Sequence, residues 1–233
     1  MVHIFQPSHM RTTLRLLQKL GIKKVHAVVG FSMGGQQVQM YWAVMYPAVV
    51  EVMTPYSLFL EGPKSALVAS KDFYDGHYKE QPEQGIRAFA RVFSGWAYGQ
   101  TWFREHKYTW DGLYPDLATF LREVWENAYL HDWDANNLIT LLHTWQRGDV
   151  SQVRHGGNLQ ACLNDIKAKG LIMPCKTDLY FPPEDSANEL ASLTSGSARL
   201  VVIDSVWGHN AGWGVNPQDD VFVQAEIKKL LEE

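Results

Sequence analysis

The sequence predicts an α/β fold, in which a parallel β-sheet of about four strands carries a mostly helical insertion. Short apolar runs without polar alternation, typical of strands buried on both faces, occur near both ends of the chain and are followed by helical periodicity. The stretch between them has helical runs, many aromatic residues and no convincing parallel strand. We therefore expect a core formed by residues 1–56 and 166–233, with residues 57–165 as a helical lid insertion.

Composition narrows the class of protein. A chain of 233 residues with 46% hydrophobic content can bury a substantial core, and its net charge of −4 offers no basic surface for nucleic acid. No apolar run is long enough for a bilayer and no signal-peptide pattern opens the chain, so we expect a cytoplasmic protein without a membrane partner. Cys162 and Cys175 lack metal-type spacing, which predicts reduced, buried thiols that bind no metal. We also expect no bound metal elsewhere and no bound cofactor.

The first predicted elements lead to a turn. Residues 8–20 carry a helical apolar stripe that Gly21 closes, and the β-branched run Val25–Val29 predicts a strand buried on both faces. The next helical pattern ends at Pro47, and a second strand is expected over Val49–Thr54. A strand, a turn and a helix therefore follow one another.

That turn has a serine at its tip. Gly30, Ser32 and Gly34 form a G-x-S-x-G pattern, which in a nucleophile elbow lifts the serine hydroxyl clear of the sheet. Side chains at the two glycine positions would collide with the neighbouring backbone, and the Met33 amide at the helix N-terminus would face an oxyanion beside Ser32. The alternative is an ordinary glycine-rich turn.

Aromatic residues dominate the predicted insertion. They would either line a pocket beneath a lid or form the core of a small helical subdomain, and both can hold at once. The tryptophans concerned are Trp96, Trp102, Trp110, Trp125, Trp133 and Trp145.

Strand patterns return in the last third of the chain. The apolar run Gly170–Asp178 precedes a helix that starts near Pro182, where proline and acidic residues suit a first turn. Arg199–Asp204 is the next predicted strand, followed by a turn-rich loop and a closing amphipathic helix over residues 218–232.

Asp178 and His209 complete a candidate catalytic set with Ser32. Serine after one strand, aspartate after a later strand and histidine after the last strand is the chain order typical of α/β-hydrolases, and the carboxyl ends of parallel strands share one sheet edge. His209 would take the Ser32 proton while Asp178 holds the imidazole in the required tautomer. Two other aspartates could take this role: Asp204 at a strand end and Asp185 in the first turn of a helix. If either does, Asp178 would only cap the helix that follows it.

The sequence resembles the homoserine O-acetyltransferase family of the α/β-hydrolase superfamily over nearly its whole length. The matching residues are Leu20-Gly21-Ile22, the elbow from Gly30 to Gly35 with Gln37, Asp134 to Asn137, Thr177 to Glu184, and Gly208 to Ala211. The resemblance implies transfer of an acyl group from acetyl-CoA or another acyl-CoA to a small-molecule hydroxyl through an acyl-Ser32 intermediate. Asp178 and His209 would complete the triad.

Four positions depart from the family pattern. The family usually has methionine at Gln36, aspartate at Asn210 and phenylalanine at Trp133. Its substrate-binding arginine follows Phe-Gly, and the nearest match here is Phe103-Arg104, so Arg104 is the candidate substrate-binding residue.

The resembled fold has several strands before the elbow strand, and a loop after one of them supplies a second oxyanion amide. Here one predicted helix precedes Val25–Val29, which would leave an apolar strand at the sheet edge. We therefore expect either a truncated chain or an edge covered by a second copy, as in a homodimer, or by another partner. The function we expect from the sequence is that of an acyltransferase, with a serine hydrolase and a catalytically silent binding module as the alternatives.

Overall fold

The computed structural model describes residues 12–13, 15–23, 25–37, 58–166, 168–193, 196 and 198–232. Residues 12–13 and 15–19 are helical. The later α-helices are α1 (Met33–Gln37), α2 (Glu61–Val68), α3 (Glu83–Phe93), α4 (Gln100–Arg104), α5 (Leu117–Phe120), α6 (Asn127–Asp132), α7 (Ala135–Gln146), α8 (Ser151–Arg154), α9 (Leu159–Asn164), α10 (Pro183–Ala191) and α11 (Pro217–Glu232). A π-helical turn over Leu121–Glu126 joins α5 to α6. Short 3₁₀ turns include Ser94–Trp96 and Gly208–Gly212.

Two parallel strands form the sheet of the described chain. β1 (Gly170–Ile172) pairs with β2 (Ala198–Leu200), and helix α10 lies between them in sequence, as a βαβ unit requires. The segments stay aligned beyond the strands, where Cys175 pairs with Ile203. Pro174 has no N–H to donate, which explains why the regular ladder stops sooner than the predicted strand. The two C-terminal strand predictions are therefore confirmed, with shorter bounds.

The predicted strand at Val25–Val29 is wrong. Residues 25–30 form no strand, and Val29 is 71% exposed rather than buried on two faces. A strand exists only through hydrogen bonds to a neighbour, and no described segment pairs with this one. The second predicted strand, Val49–Thr54, lies outside the described residues, as does the greater part of the helix expected after the elbow.

Residues 58–166 are helices and turns throughout, with no strand in this range. Side-chain caps begin three of the helices: Asp116 accepts from the Thr119 amide at α5, Asp134 from the Asn137 amide at α7, and Asn158 from the Ala161 amide at α9. The mostly helical character predicted for residues 57–165 is therefore present, while the domain boundaries themselves stay a prediction.

Aromatic side chains form the core of this helical region. Trp102 is fully buried and Trp145 nearly so, whereas Trp133 is 40% exposed. Tyr180 and Phe181, from the loop after β1, insert into the same cluster. The buried tryptophans therefore form part of a core, as one of the two interpretations predicted. The same cluster joins the helical region to the loop that carries Asp178.

A partly buried ion pair joins helix α11 to β2. Arg199 on β2 donates to the Glu226 carboxylate at 2.6 Å, which compensates for the burial of that acid. Cys162 and Cys175 are buried thiols without a disulfide, as expected. Among the described helices, none combines the length and apolar character needed to cross a bilayer.

Candidate active site

Asp178 lies just beyond the carboxyl end of β1, where the backbone turns sharply. Its amide donates to the Cys175 carbonyl at 3.0 Å, and its Oδ1 accepts from the amides of Tyr180 at 2.8 Å and Phe181 at 3.0 Å. The side chain is 6% exposed. These amides hold the carboxylate in one orientation and leave Oδ2 for a further donor.

His209 supplies that donor. Its Nδ1 lies 2.8 Å from Asp178 Oδ2, and the imidazole is 12% exposed. An ionised carboxylate can only accept, so Nδ1 carries the proton and Nε2 of the neutral ring is left with a lone pair. The structure thus joins two of the three predicted triad residues in the geometry that general-base catalysis needs.

Three aromatic rings surround the imidazole. The ring centroids of Phe31, Tyr180 and Phe181 lie 4.6, 5.0 and 5.1 Å from that of His209. Packing on several sides restricts rotation of the imidazole and excludes water from the pair with Asp178. Sequence reasoning missed these contacts, although Tyr180 and Phe181 directly follow the aspartate in the matched family segment.

The rival aspartates lie elsewhere. Asp204 is exposed and forms an ion pair with Lys176 at 2.9 Å. Asp185 is exposed in the first turn of α10, and its amide donates to the Pro182 carbonyl. Asp178 does not cap that helix, since α10 begins at Pro183 without a side-chain cap. Of the three candidates, Asp178 alone contacts His209.

Gly208 allows the histidine loop to approach the helical region. Its φ is +59°, and a Cβ there would lie 2.8 Å from Ala97 O, Gly99 N and Tyr98 Cα. Real Cβ atoms do not come so close to backbone, so position 208 requires glycine for both conformation and space. The close approach that this glycine permits is to the backbone of residues 97–99 in the helical region.

Gly208→Ala should lower the free energy of unfolding by about 3 kcal/mol or more, because the added methyl group clashes with nearby backbone and residue 208 must also keep a left-handed conformation. Gly214→Ala is the matched control. Gly214 also has a positive φ of +75°, but the nearest atom to its Cβ position is 3.9 Å away, at Asp220. We expect about 1 kcal/mol there. Urea unfolding of both variants measures the difference, and equal losses would contradict the proposed clash.

Polar residues beyond the predicted set hold the histidine loop in place. Ser205 Oγ donates to the buried Asp219 carboxylate at 2.7 Å and accepts from the Trp207 amide at 3.1 Å. Thr177 Oγ1 donates to the Ser205 carbonyl and accepts from the Gly208 amide. Neither role has a sequence signal, because each depends on residues from separate elements meeting.

Asn210 fastens the same loop to the helical region. Its Nδ2 donates to the Ala97 carbonyl at 3.1 Å, and nearby the Gly99 amide donates to the Val206 carbonyl at 3.2 Å. An ionised aspartate, the residue usual in the resembled family, has no proton for the Ala97 carbonyl. The departure at Asn210 therefore adds a hydrogen bond that the family residue could not make.

Ser32 occupies a strained turn, as a nucleophile elbow requires. Its φ is +56°, an uncommon conformation for serine, and Met33 begins helix α1 directly after it. A Cβ at Gly30 would lie 2.4 Å from the Gly34 carbonyl oxygen, so glycine is required there as predicted. At Gly34 no described atom lies within 4 Å of a Cβ, which gives no corresponding steric reason.

The elbow and the histidine loop meet through Phe31, whose ring packs on His209 next to Ser32. Within the described chain, the Ser32 hydroxyl has no hydrogen-bond partner, and the Met33 amide donates to no described acceptor. Hydrogen bonds of a catalytic serine often tighten only when substrate is bound. The nucleophilic role of Ser32 and the oxyanion role of the Met33 amide therefore stay predictions.

Arg104 lies at the end of α4 and is exposed. Its guanidinium donates to Thr101 Oγ1 on the same helix at 2.5 Å. No contact between Arg104 and the Asp178–His209 pair occurs in the described structure. Its role as a substrate-binding residue stays a prediction.

A buried Asp–His pair beside a strained serine turn, at the carboxyl end of a βαβ unit, is the arrangement of serine hydrolases and acyltransferases. The family model for the alpha/beta hydrolase fold matches residues 7–214. The chain belongs to this family, and the predicted fold class is confirmed.

Known relatives include enzymes of two kinds. The chain is 30% identical to a probable esterase of Corynebacterium glutamicum, over 93% of this chain and 64% of that protein. It is also 30% identical to a homoserine O-acetyltransferase of Trichormus variabilis, over 87% of this chain and 58% of that protein. The structure of the acetyl esterase MekB matches with a TM-score of 0.86 at 28% identity, covering 97% of this chain and 67% of that one.

The chain thus spans about three fifths of the length of these curated relatives. The resemblance to homoserine O-acetyltransferases is confirmed, since such enzymes are among the relatives of this chain. Esterases of the same superfamily are equally similar to it.

Proposed function

We propose that this protein is a serine esterase that hydrolyses small acyl esters, with acetyl esters as the preferred class. The observation that carries the proposal is the 2.8 Å contact between His209 Nδ1 and Asp178 Oδ2, with the imidazole packed against Phe31 beside Ser32. Relatives that are a probable esterase and a solved acetyl esterase support it.

The chemistry has two acyl-transfer steps. His209 Nε2 takes the Ser32 proton as Oγ attacks the ester carbonyl, and the same proton then goes to the departing alcohol as the C–O bond breaks. The Met33 amide would stabilise the oxyanion. Water then attacks the acyl-serine, giving its proton to His209, and the carboxylic acid leaves as Ser32 recovers its proton. Asp178 orients the imidazole and stabilises the imidazolium in both steps.

A second candidate is acyl transfer from acetyl-CoA to a small-molecule hydroxyl, which the homoserine O-acetyltransferase relative and the matched motifs favour. Both reactions share the acyl-Ser32 intermediate and differ only in the acceptor. Hydrolysis is preferred because Arg104, the candidate for binding the acceptor, is exposed and bonded to its own helix. The expected homodimer and cytoplasmic location belong to this proposal as further predictions.

Product analysis distinguishes the two candidates. The protein is incubated with p-nitrophenyl acetate in water, and separately with acetyl-CoA and a set of alcohols including homoserine. We expect one acetate released for each ester consumed and no acetylated alcohol. If an acetylated alcohol forms in proportion to the CoA released, the protein is an acyltransferase and the proposed hydrolysis is wrong. Failure to consume either donor would overturn both and favour the silent binding module.

A further inference from the structure

Tyr180 contacts both members of the Asp178–His209 pair and also the helical region. Its amide donates to Asp178 Oδ1 at 2.8 Å, and its ring lies edge-on to the His209 imidazole with centroids 5.0 Å apart. At the far end of the ring, the hydroxyl donates to the Phe93 carbonyl at 2.5 Å. One side chain thus joins the catalytic pair to the last residue of α3.

The hydroxyl is a permanent donor in this position. Tyr180 is 6% exposed, and its burial raises the pKa of the phenol well above the ordinary value, so the proton is retained at any pH at which the protein functions. The Phe93 ring also packs on the Tyr180 ring at 4.9 Å. The Tyr180 side chain is therefore held both by the packing of its ring on Phe93 and by the hydrogen bond of its hydroxyl.

We propose that Tyr180 is a positioning residue that uses its bond to Phe93 to hold the His209 imidazole in register with Asp178. This proposal rests on the proposed function, because positioning has a consequence only where His209 acts as a base. Without the hydroxyl, the ring of residue 180 keeps its packing but loses the hydrogen bond to the Phe93 carbonyl, which fixes its orientation. The imidazole edge that rests on it then samples more orientations, and small misplacements of a catalytic base cost rate.

Tyr180→Phe removes the hydroxyl and leaves the ring and the amide in place. Tyr129→Phe is the matched control: Tyr129 is a partly buried tyrosine whose ring also packs on Phe93, at 6.3 Å, and in the described structure it does not contact His209. We expect Tyr180→Phe to lower kcat for p-nitrophenyl acetate about tenfold with KM changed less than twofold. Tyr129→Phe should leave both within twofold.

Proton NMR provides a readout that does not require turnover. The low-field signal of the His209 Nδ1 proton, assigned by its loss in His209→Gln, should broaden and exchange with solvent several times faster in Tyr180→Phe. It should be unchanged in Tyr129→Phe. Placing 4-aminophenylalanine at position 180 restores a donor on the same ring and should restore the signal, which also decides the case if Tyr180→Phe folds poorly.

The outcomes separate the two proposals. Equal NMR and kinetic effects in Tyr180→Phe and Tyr129→Phe, or no rescue by the amino ring, would overturn the role of Tyr180. If the wild-type protein has no turnover, the proposed esterase function fails, while the NMR comparison still tests whether Tyr180 holds the His209–Asp178 contact.

Discussion

Ser32→Ala should abolish both covalent labelling by a fluorophosphonate probe and turnover of p-nitrophenyl acetate. Removing the hydroxyl removes the atom that forms the acyl-enzyme, and such losses lower kcat by about 10³- to 10⁶-fold in serine enzymes. The loss should be in kcat, because alanine leaves the space for substrate intact. Labelling is followed by intact-mass spectrometry, which reports one adduct on the wild-type chain.

The matched control for this variant is Ser192→Ala. Ser192 lies at the C-terminal end of α10, and within the described chain its hydrogen bonds are made by the backbone. Its loss should leave labelling and turnover unchanged. An adduct of equal yield on Ser32→Ala would show that another residue is the nucleophile and would remove the elbow from the mechanism.

Asp178→Asn should lower kcat about 10⁴-fold with little effect on KM, a magnitude seen for the equivalent change in a serine protease. An asparagine amide can present an N–H to His209 Nδ1, which would move the imidazole proton to Nε2. A protonated Nε2 cannot accept the Ser32 proton. The two amides that now bond to Asp178 Oδ1 can still bond to an asparagine oxygen, so the fold should be preserved.

Asp204→Asn tests the rival aspartate with the same change of charge. Asp204 is 83% exposed and, among the described residues, forms an ion pair only with Lys176, so we expect kcat within twofold of wild type. Steady-state kinetics with thermal unfolding of both variants gives the comparison. A large loss in Asp204→Asn with activity retained in Asp178→Asn would reverse the assignment.

The candidate site could be predicted from sequence where a functional group lies in the loop after a strand that the structure confirms. Asp178 and His209 come after β1 and β2, and parallel strands bring such positions to one edge, so their meeting follows from chain order.

Other features depended on partners distant in sequence. The β-branched run Val25–Val29 has strand propensity, yet a strand needs a neighbour, and the described residues contain none for it. The contacts of Tyr180 with Phe93 and of Asp219 with Ser205 join separate elements. No short-range pattern marks such pairs, since each residue alone would suit a core or a helix end.

The hydrogen bonds between the helical region and the loops that carry Asp178 and His209 bear on the order in which the protein folds. Asn210 and Ala97 are 113 residues apart in sequence, and Tyr180 and Phe93 are 87 apart. Closing loops of this length costs chain entropy before any contact compensates for it, which places these bonds late in folding. We therefore expect the reactive histidine to become ordered in the final cooperative step, so that incompletely folded chains carry all three triad residues yet have no esterase activity.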